Sequence, residues 1–391
     1  MSDVRKQLQA FRDSRFAVPE YVYGTEGQKG GSPGPLNIPT GFNGAGSANC
    51  FVLIKRRYFM KLSKLFVTLL LGSACAWASA QTIIKFSHVV AADTPKGKAS
   101  EFFAKRAGEL TKGKVKVEVY PNSALYKDGE EMSSLQMGSV QMLAPSLAKF
   151  GPLGVKEFEA FDFPFMFDDT DELHKITQGP VGAAMMAKLE PKGIKGLAYW
   201  DNGFKSFSAN MPLKSVADYK GKKFRIQSSK VLEEQIRSVG GIPQVMAFSE
   251  VYQALQTGVV DGTENTTSNI YSQKYQEVQK HLSLTNHGYI GYAVIVNKKF
   301  WDGLSAEVRG QLEQAMAEAT NYANNIAQAE NDAALAGIKN SGKTAVYEPT
   351  KDERLALKKA MASVHTRMAE RVGKETLQEF YKATGFDPTK L

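Results

Sequence analysis

The chain has 391 residues, 43% of them hydrophobic and 23% charged, a balance that excludes a wholly disordered or collagen-like protein. Its formal net charge of +9 comes from 49 basic and 40 acidic residues, but residues 1–80 hold 10 of the basic and 4 of the acidic ones. The remainder is nearly neutral, which argues against a nucleic-acid-binding protein. Both cysteines, Cys50 and Cys75, also precede residue 81, so thiol catalysis, disulfides and thiolate metal sites are excluded after it.

The segment Met60–Ala80 has the features of a secretory signal peptide. Lys61 and Lys64 form a basic start, Leu65–Cys75 is an apolar run, and Ala78–Ala80 supplies a small-residue cleavage site. The apolar run is shorter than the roughly 20 residues that a membrane-spanning helix needs. We therefore expect residues 60–80 to direct export and to be removed.

Residues 1–59 precede this signal peptide. Within them, Gly24–Gly46 is rich in glycine, proline, serine and asparagine and has no helical or strand period, which predicts disorder. We interpret residues 1–59 as an extension upstream of the true start at Met60. A lipidated Cys75 is an alternative to cleavage after Ala80, although Gly72 stands where lipoproteins usually carry leucine.

Strand and helix patterns alternate after residue 81, and no stretch there has the uninterrupted apolar length to cross a bilayer. This βαβ rhythm predicts an α/β fold with helix-covered sheets. The predicted helices are Pro95–Leu110 and Glu130–Met137. The predicted strands are Ile83–His88, Lys114–Tyr120, Val140–Ala144, Ile194–Trp200, Phe204–Ala209, Lys222–Ile226 and Tyr292–Asn297.

The C-terminal third is predicted to be helical. Ser305 caps a proline-free helix that runs to about Lys339, on the order of 50 Å long. This is longer than one compact lobe needs, so the helix could brace two lobes. A further helix begins at the Thr350-x-x-Glu353 capping box.

The sequence contains no recognisable catalytic or metal-binding motif. The five histidines form no HExxH or HxH pattern, and there is no GxSxG elbow and no nucleotide-binding glycine loop. We therefore predict no enzyme activity, no metal and no cofactor.

Arg225 is the most informative single residue. Phe224 and Ile226 look like a strand, and Ser228 or Ser229 looks like the N-cap of the helix that follows. Arg225 then lies near the carboxyl end of a strand, where ligands bind in open α/β sheets. Its guanidinium and the helix N-terminus would suit an anionic ligand. A surface arginine alternating with two buried apolar residues explains the same pattern.

From Gln81 onwards the sequence resembles the extracytoplasmic solute-binding subunits of tripartite ATP-independent periplasmic (TRAP) transporters. The segments that carry this resemblance are KFSHVVAADTPKGKA (85–99), VYPNSALYKDGEEM (119–132), GKKFRIQSS (221–229), MAFSEVYQALQTGVVDGTEN (246–265) and YSQKYQEVQKHLSLTNH (271–287). The resemblance covers the whole predicted mature chain, and residues 1–59 lie outside it.

The resemblance implies a two-lobed, type II clamshell like that of periplasmic binding proteins, with mixed sheets and a long helix spanning both lobes. This agrees with the long helix predicted above from the residues. The implied lobe I comprises residues 81–203 and 292–330, and lobe II comprises residues 204–291 and 331–391.

The resemblance also implies roles for three residues. Arg225 would bind the substrate carboxylate, Asn265 would support that carboxylate, and Phe248 would pack over the ligand. The combination of SHVxxxDTPKG, WDNGF (200–204) and FRIQSSKVL looks most like the branch that binds C4-dicarboxylates such as succinate, fumarate and malate. The sialic-acid branch usually has an arginine where Lys205 stands.

A diacid requires a second group of donors facing Arg225. The candidates are His88, Lys96, Ser146, Asn202 and Lys205, with Ser228 beside the arginine. We prefer Lys96 as the partner of the distal carboxylate, although a solvated lysine in the first turn of a helix is an equally ordinary reading of it.

We therefore expect a periplasmic binding protein that captures an organic acid by closure of its lobes and delivers it to TRAP membrane permease subunits. Two alternatives remain open: the same fold binding a uronate, an aromatic acid or a 2-oxo acid, and an exported α/β enzyme. A sensory role is not separated from transport by the sequence.

Overall fold

The computed structural model describes residues 81–390, so the predicted signal peptide and the extension before it lie outside the described residues. The strands are β1 (Thr82–Ser87), β2 (Val115–Tyr120), β3 (Met142–Leu143), β4 (Ile194–Ala209), β5 (Lys223–Ile226), β6 (Ile242–Val245), β7 (Gly262–Asn265), β8 (His281–Asn297) and β9 (Ala345–Tyr347). The helices are α1 (Pro95–Leu110), α2 (Glu131–Gln136), α3 (Thr170–Thr177), α4 (Pro180–Ala187), α5 (Lys230–Ser238), α6 (Val251–Gln256), α7 (Thr267–Ser272), α8 (Lys298–Asp302), α9 (Ala306–Ser341), α10 (Lys351–Met361), α11 (Ser363–Arg367), α12 (Ala369–Val372) and α13 (Lys374–Thr384).

The strands form one mixed sheet in the order β2-β1-β3-β8-β4-β7-β5-β6, with β9 beside β8. It contains two parallel βαβαβ units of the same topology. In the first unit, β1 lies between β2 and β3; in the second, β5 lies between β6 and β7. The predicted α/β class is confirmed.

The two units also share a sequence signal. Each has the pattern Leu-Gln-x-Gly at the end of its second helix, at residues 135–138 and 255–258. Gly138 and Gly258 both have left-handed backbone, with φ of 78° and 73°, and only glycine adopts this conformation without strain. The same turn therefore ends α2 and α6 and directs the chain into β3 and β7.

Two long antiparallel strands, β4 and β8, join the units. The C-terminal end of β8 pairs with β3, and the C-terminal end of β4 pairs with β7. Because β4 and β8 are antiparallel, these contacts lie at opposite ends of the pair of strands. The register between β4 and β8 shifts at three places, the last two at Asp201/Gly203 and Lys205/Phe207. Such irregularities bend strands, so the connection between the two units is not one flat ribbon.

These two strands also correct the predicted boundaries. The predicted strands Ile194–Trp200 and Phe204–Ala209 are parts of one strand, and the strand predicted at Tyr292 begins at His281. The first half of β8 buries Ser283, Thr285 and His287, so it lacks the apolar alternation by which strands are recognised.

Helix α9 is confirmed as a long brace. Ser305 caps it by accepting a hydrogen bond from the Val308 N–H, and it spans 36 residues, about 54 Å. Its residue Leu312 packs in the core around β1 and α1, whereas Ile338 packs in the core around α6 and β8. One helix therefore contacts both units. The capping box at Thr350 and the helix Pro95–Leu110 are confirmed as well, while the proposed lobe boundaries stay a prediction.

Candidate functional site

A small buried cavity lies where side chains of the two units meet. Its empty volume is about 330 Å³, which includes space open to solvent. Its lining residues are Val89, Val90, Lys96, Asp128, Ser146, Arg225, Gln227, Phe248, Asn265, Asn269, Ile290 and Tyr292. Five of the nine residues predicted from the sequence, namely Lys96, Ser146, Arg225, Phe248 and Asn265, are therefore brought together.

Arg225 lies on β5 and is only 1% exposed. Its Nε and Nη2 atoms both donate hydrogen bonds to the Met246 carbonyl, at 3.2 and 3.0 Å. The guanidinium also lies 5.8 Å from the ring centroid of Phe248. No acceptor within residues 81–390 pairs with Nη1, so a fixed and buried cation presents its remaining donors to the cavity.

Asn265 ends β7 and lies beside this arginine in the cavity wall. Its Oδ1 atom accepts hydrogen bonds from the Thr266 N–H and from Nδ2 of Asn269, both at 2.9 Å. Because the oxygen is used twice, the amide orientation is fixed and the Nδ2 donors remain for a ligand. A donor group of this kind suits a carboxylate.

Lys96 supplies a second cation from the first unit. It is the second residue of α1 and is 1% exposed. Its Nζ donates to the Ala144 carbonyl at 2.8 Å and lies 3.8 Å from the ring centroid of Tyr292. Burial lowers the pKa of Lys96 to about 8, although the acids Glu131 and Asp128 oppose this shift.

Asp128 is a carboxylate in the wall of this cationic cavity. Its Oδ1 lies 3.2 Å from Nζ of Lys149, and its Oδ2 accepts a hydrogen bond of 2.5 Å from the Phe248 N–H. Oδ2 is also 3.9 Å from Nη2 of Arg225. Burial would raise the pKa of Asp128, but Lys149, Arg225 and the Phe248 N–H outweigh burial and lower it.

Glu131 completes a group of five buried ionisable side chains around the cavity. It lies on α2 and is 1% exposed. Burial first, and Asp128 next, raise the pKa of Glu131 to about 8. The group therefore combines three basic side chains, Lys96, Lys149 and Arg225, with Asp128 and with Glu131, whose raised pKa favours its neutral form. This excess of basic side chains complements a ligand with two carboxylates.

Four predicted residues do not line the cavity. Both ring nitrogens of His88 are buried without a partner among the described residues, and burial together with Lys96 lowers its pKa to about 3. Asn202 lies behind the cavity wall, where its Nδ2 donates to the hydroxyl of the lining residue Tyr292 at 2.7 Å. Ser228 is partly buried before α5, and Ser229 is the residue that caps that helix.

Lys205 lies in a separate buried cluster. Its Nζ is 2.5 Å from Oε2 of Glu264, and His287 lies 3.4 Å from the same oxygen. Burial would raise the pKa of Glu264, but Lys205 and His287 outweigh it and lower that pKa. Lys205 is thus neutralised by a protein carboxylate and does not face the cavity, whereas Lys96 does.

The sequence reasoning did not single out seven lining residues. Asp128 lies within the segment VYPNSALYKDGEEM, but an exposed loop acid and a buried one look alike in sequence. Tyr292 lies in a predicted strand, where an aromatic residue is ordinary core. Gln227 directly follows β5, which carries Arg225, and Asn269 lies on α7, four residues after Asn265. Their closeness in sequence to these two predicted residues was the signal that could have identified them. The other missed residues are Val89, Val90 and Ile290.

A larger open groove lies elsewhere, between α4, β4 and α9. Its charged lining residues are Glu190, Lys195 and Glu313, and Lys195 is paired with Glu190 at 2.8 Å. Two acids and one neutralised lysine do not suit an anion, so the cavity around Arg225 is the candidate site.

Within the described range 81–390, no helix is long and apolar enough to cross a membrane. The same residues contain no group of three or more histidine, cysteine or acidic side chains that could hold a metal ion.

Comparison with known proteins shows which chains this one is similar to. The family model for bacterial extracellular solute-binding proteins, family 7, matches residues 86–372. The chain is 61% identical over 302 residues to the C4-dicarboxylate-binding periplasmic protein DctP of Rhodobacter capsulatus, covering 77% of this chain and 91% of the relative.

Solved structures extend the likeness to three dimensions. A TRAP periplasmic solute-binding protein of Shewanella oneidensis with bound succinate is 39% identical, with a TM-score of 0.76, over 78% of this chain and 100% of that one. A TRAP periplasmic solute-binding protein of Pseudomonas aeruginosa with bound L-malate is 41% identical, with a TM-score of 0.72, over 73% of this chain and 99% of that one. The fold is thus the two-lobed, type II fold of these proteins.

Proposed function

The chain belongs to the bacterial extracellular solute-binding protein family 7, and from this premise we propose that it captures C4-dicarboxylates for a TRAP transporter. The observation that carries the proposal is one closed cavity with a buried cation from each unit, Arg225 and Lys96. The relatives with succinate and malate support the same ligand class. The family is one of binding proteins, and the proposed role involves no catalysis.

The two carboxylates of the ligand bind at opposite sides of the cavity. Arg225 donates to one of them through its free N–H groups, and Asn265 supports that carboxylate with its Nδ2 donors. Lys96 faces the other carboxylate, with Ser146 as a neighbouring donor. Phe248 covers the ligand with its ring.

Binding is coupled to movement of the two lobes. An open cleft admits the hydrated dianion, and closure removes water from both ion pairs. In the lower dielectric of the closed cavity, each charge pair is stronger than in water. We propose that the closed form is then recognised by the membrane permease subunits of the transporter, and that the signal peptide predicted at residues 60–80 directs the protein to the periplasm.

A ligand screen by isothermal titration calorimetry tests the proposal. Residues 81–391 are titrated with succinate, fumarate and L-malate, and in parallel with galacturonate, orotate and pyruvate as representatives of other acid classes. We expect the dicarboxylates to bind at least about 100-fold more tightly, since each ion pair that a ligand cannot form costs about 2–5 kcal/mol. Tighter binding of a uronate, aromatic acid or 2-oxo acid would contradict the proposed ligand class, and turnover of any acid would indicate an enzyme.

Arg225→Ala provides the matched test of the site. Removing the guanidinium leaves one ligand carboxylate buried without its partner, so we expect at least about a 1,000-fold loss of dicarboxylate affinity. Arg237→Ala is the control, because Arg237 lies on the adjacent helix α5 with its side chain 54% exposed. Unchanged affinity of Arg225→Ala would show that the site is wrongly assigned.

A further inference from the structure

We propose that Asp128 is a positioning residue that fastens the two units of the closed protein together and thereby slows release of the ligand. This inference rests on the proposed function and deepens it. Asp128 was not predicted from the sequence as a site residue, and its negative charge is unexpected in a cavity for anions.

The contacts of Asp128 connect elements that belong to different units. Asp128 lies in the loop between β2 and α2 of the first unit. Its Oδ2 accepts a hydrogen bond of 2.5 Å from the N–H of Phe248, which begins the 3-10 helix Phe248–Glu250 of the second unit. The same oxygen lies 3.9 Å from Nη2 of Arg225, also in the second unit.

The two contacting residues occupy equivalent places in the two units. Asp128 stands seven residues before Leu135, and Phe248 stands seven residues before Leu255, where the shared Leu-Gln-x-Gly pattern begins. The loop before α2 and the turn before α6 therefore face each other across the cavity. In this pair, one unit contributes a carboxylate and the other a backbone donor.

Lys149 explains why the charge of Asp128 does not repel the ligand. Lys149 ends the 3-10 helix that follows β3, in the same unit as Asp128, and its Nζ lies 3.2 Å from Oδ1. Both side chains are at most 7% exposed. This ion pair neutralises Asp128 whether the units are together or apart, so Oδ2 remains free to accept the Phe248 N–H on closure.

The arrangement affects dissociation more than association. The bonds from Asp128 to Phe248 and Arg225 exist only while the two units are in contact, so they stabilise the closed form and not the open form that admits ligand. A stabilised closed form releases its ligand more slowly, because opening must precede release. The association rate, which depends on the open form, changes little.

Stopped-flow fluorescence and calorimetry on Asp128→Asn test this inference with succinate as the ligand. We expect the dissociation constant to rise by at least about 30-fold, with the change in the dissociation rate and less than about a threefold change in the association rate. The matched control is Lys127→Ala, which removes an exposed ion pair to Glu250 at the same contact. Since exposed pairs contribute little, the control changes affinity by less than about threefold.

A second variant guards against misfolding caused by an unpaired buried lysine. Asp128→Asn combined with Lys149→Met removes the ion pair as a whole, and we expect it to keep the melting temperature of the unliganded protein while releasing succinate as fast as the single variant. Small-angle scattering of both variants with saturating succinate is expected to show a larger open fraction than the wild type. An unchanged dissociation rate in the double variant, or tighter succinate binding in Asp128→Asn, would overturn the inference.

The outcome is distinguishable from failure of the proposed function. If the wild type binds no dicarboxylate, the function is wrong and the rates are not measurable. If the wild type binds succinate, Arg225→Ala does not, and both Asp128 variants release succinate at the wild-type rate, only the role of Asp128 is wrong.

Discussion

The two βαβαβ units have the same strand order, and their registers identify equivalent positions. Phe86 pairs with Met142 in the first unit, and Phe224 pairs with Gly262 in the second. The residues after these two phenylalanines, Ser87 and Arg225, therefore occupy the same place. One position carries a buried hydroxyl and the other a buried guanidinium, so the shared framework does not determine which unit supplies the arginine.

At the starts of the helices, by contrast, the first unit carries the ionisable side chains and the second unit carries apolar ones. The second residue of α1 is Lys96, whereas the second residue of α5 is Val231, and both are buried. Glu131 begins α2, where Val251 begins α6. Beside the cavity, the first unit thus carries Lys96 and Glu131, whose pKa values are shifted by burial, and the second carries Arg225. One framework thus builds a two-ended site by placing different cations in its two copies.

Removing the cation of the first unit is expected to weaken binding strongly, although less than Arg225→Ala. Lys96→Met deletes the partner of the distal carboxylate, so we expect succinate affinity to fall by about 30- to 100-fold. Binding of succinamate, which has one carboxylate, falls by less than about threefold because that carboxylate binds Arg225. Calorimetry with both ligands measures the difference.

The control for this variant is Lys230→Met, which changes the exposed first residue of the corresponding helix α5. We expect it to leave both affinities within about twofold. Equal losses for succinate and succinamate in Lys96→Met would show that the two units do not divide the carboxylates between them.

The pH dependence of binding is expected to be smaller and to originate in the first unit. Burial lowers the pKa of Lys96 and raises that of Glu131, both to about 8. As the pH rises through about 8, this pair loses a proton and the cavity becomes less positive. Succinate affinity therefore falls by up to about tenfold per pH unit above pH 8. It changes little between about pH 6.5 and 7.5, where both ligand carboxylates are largely ionised.

Titration of succinate between pH 6 and 9.5 measures this effect. The two groups expected to titrate in this range, Lys96 and Glu131, both belong to the first unit. If the affinity stays constant up to pH 9.5, or increases, Lys96 and Glu131 do not titrate near pH 8 in the way described above.

A separate effect of pH is expected on stability. The pKa of Glu131 is raised from its usual value of 4.5 to about 8, so folding takes up a proton between these two values. The free energy of unfolding of the wild type therefore decreases from about pH 4.5 to about pH 8 relative to that of Glu131→Gln, which cannot ionise. Urea denaturation at pH 5, 6.5 and 8 measures the difference, and a difference that is the same at all three would contradict a buried neutral acid.

Much of the fold is readable from local signals. The long helix begins directly after Ser305, as this capping residue predicts, and the predicted helix Pro95–Leu110 begins after Thr94, which caps it. The buried polar half of β8 was missed, because neighbouring strands and not its own apolar residues specify it. Local patterns identify elements that carry their own boundaries and fail for those that depend on tertiary contacts.

The candidate site was predictable to a similar extent. Arg225 stood out because its strand and the following helix cap are local features. The choice of Lys96 over Lys205 was not decidable from composition, because only the fold brings Glu264 to Lys205 and leaves Lys96 facing the cavity. Asp128 was missed for the same reason, since its partners Lys149 and Phe248 are distant in the chain.

A crystal structure of the protein with succinate tests the division of the ligand between the two units most directly. We expect one carboxylate within hydrogen-bonding distance of the Arg225 guanidinium and Nδ2 of Asn265, and the other within about 3.5 Å of Nζ of Lys96. A succinate with both carboxylates bound by the second unit, or one bound outside this cavity, would contradict that division.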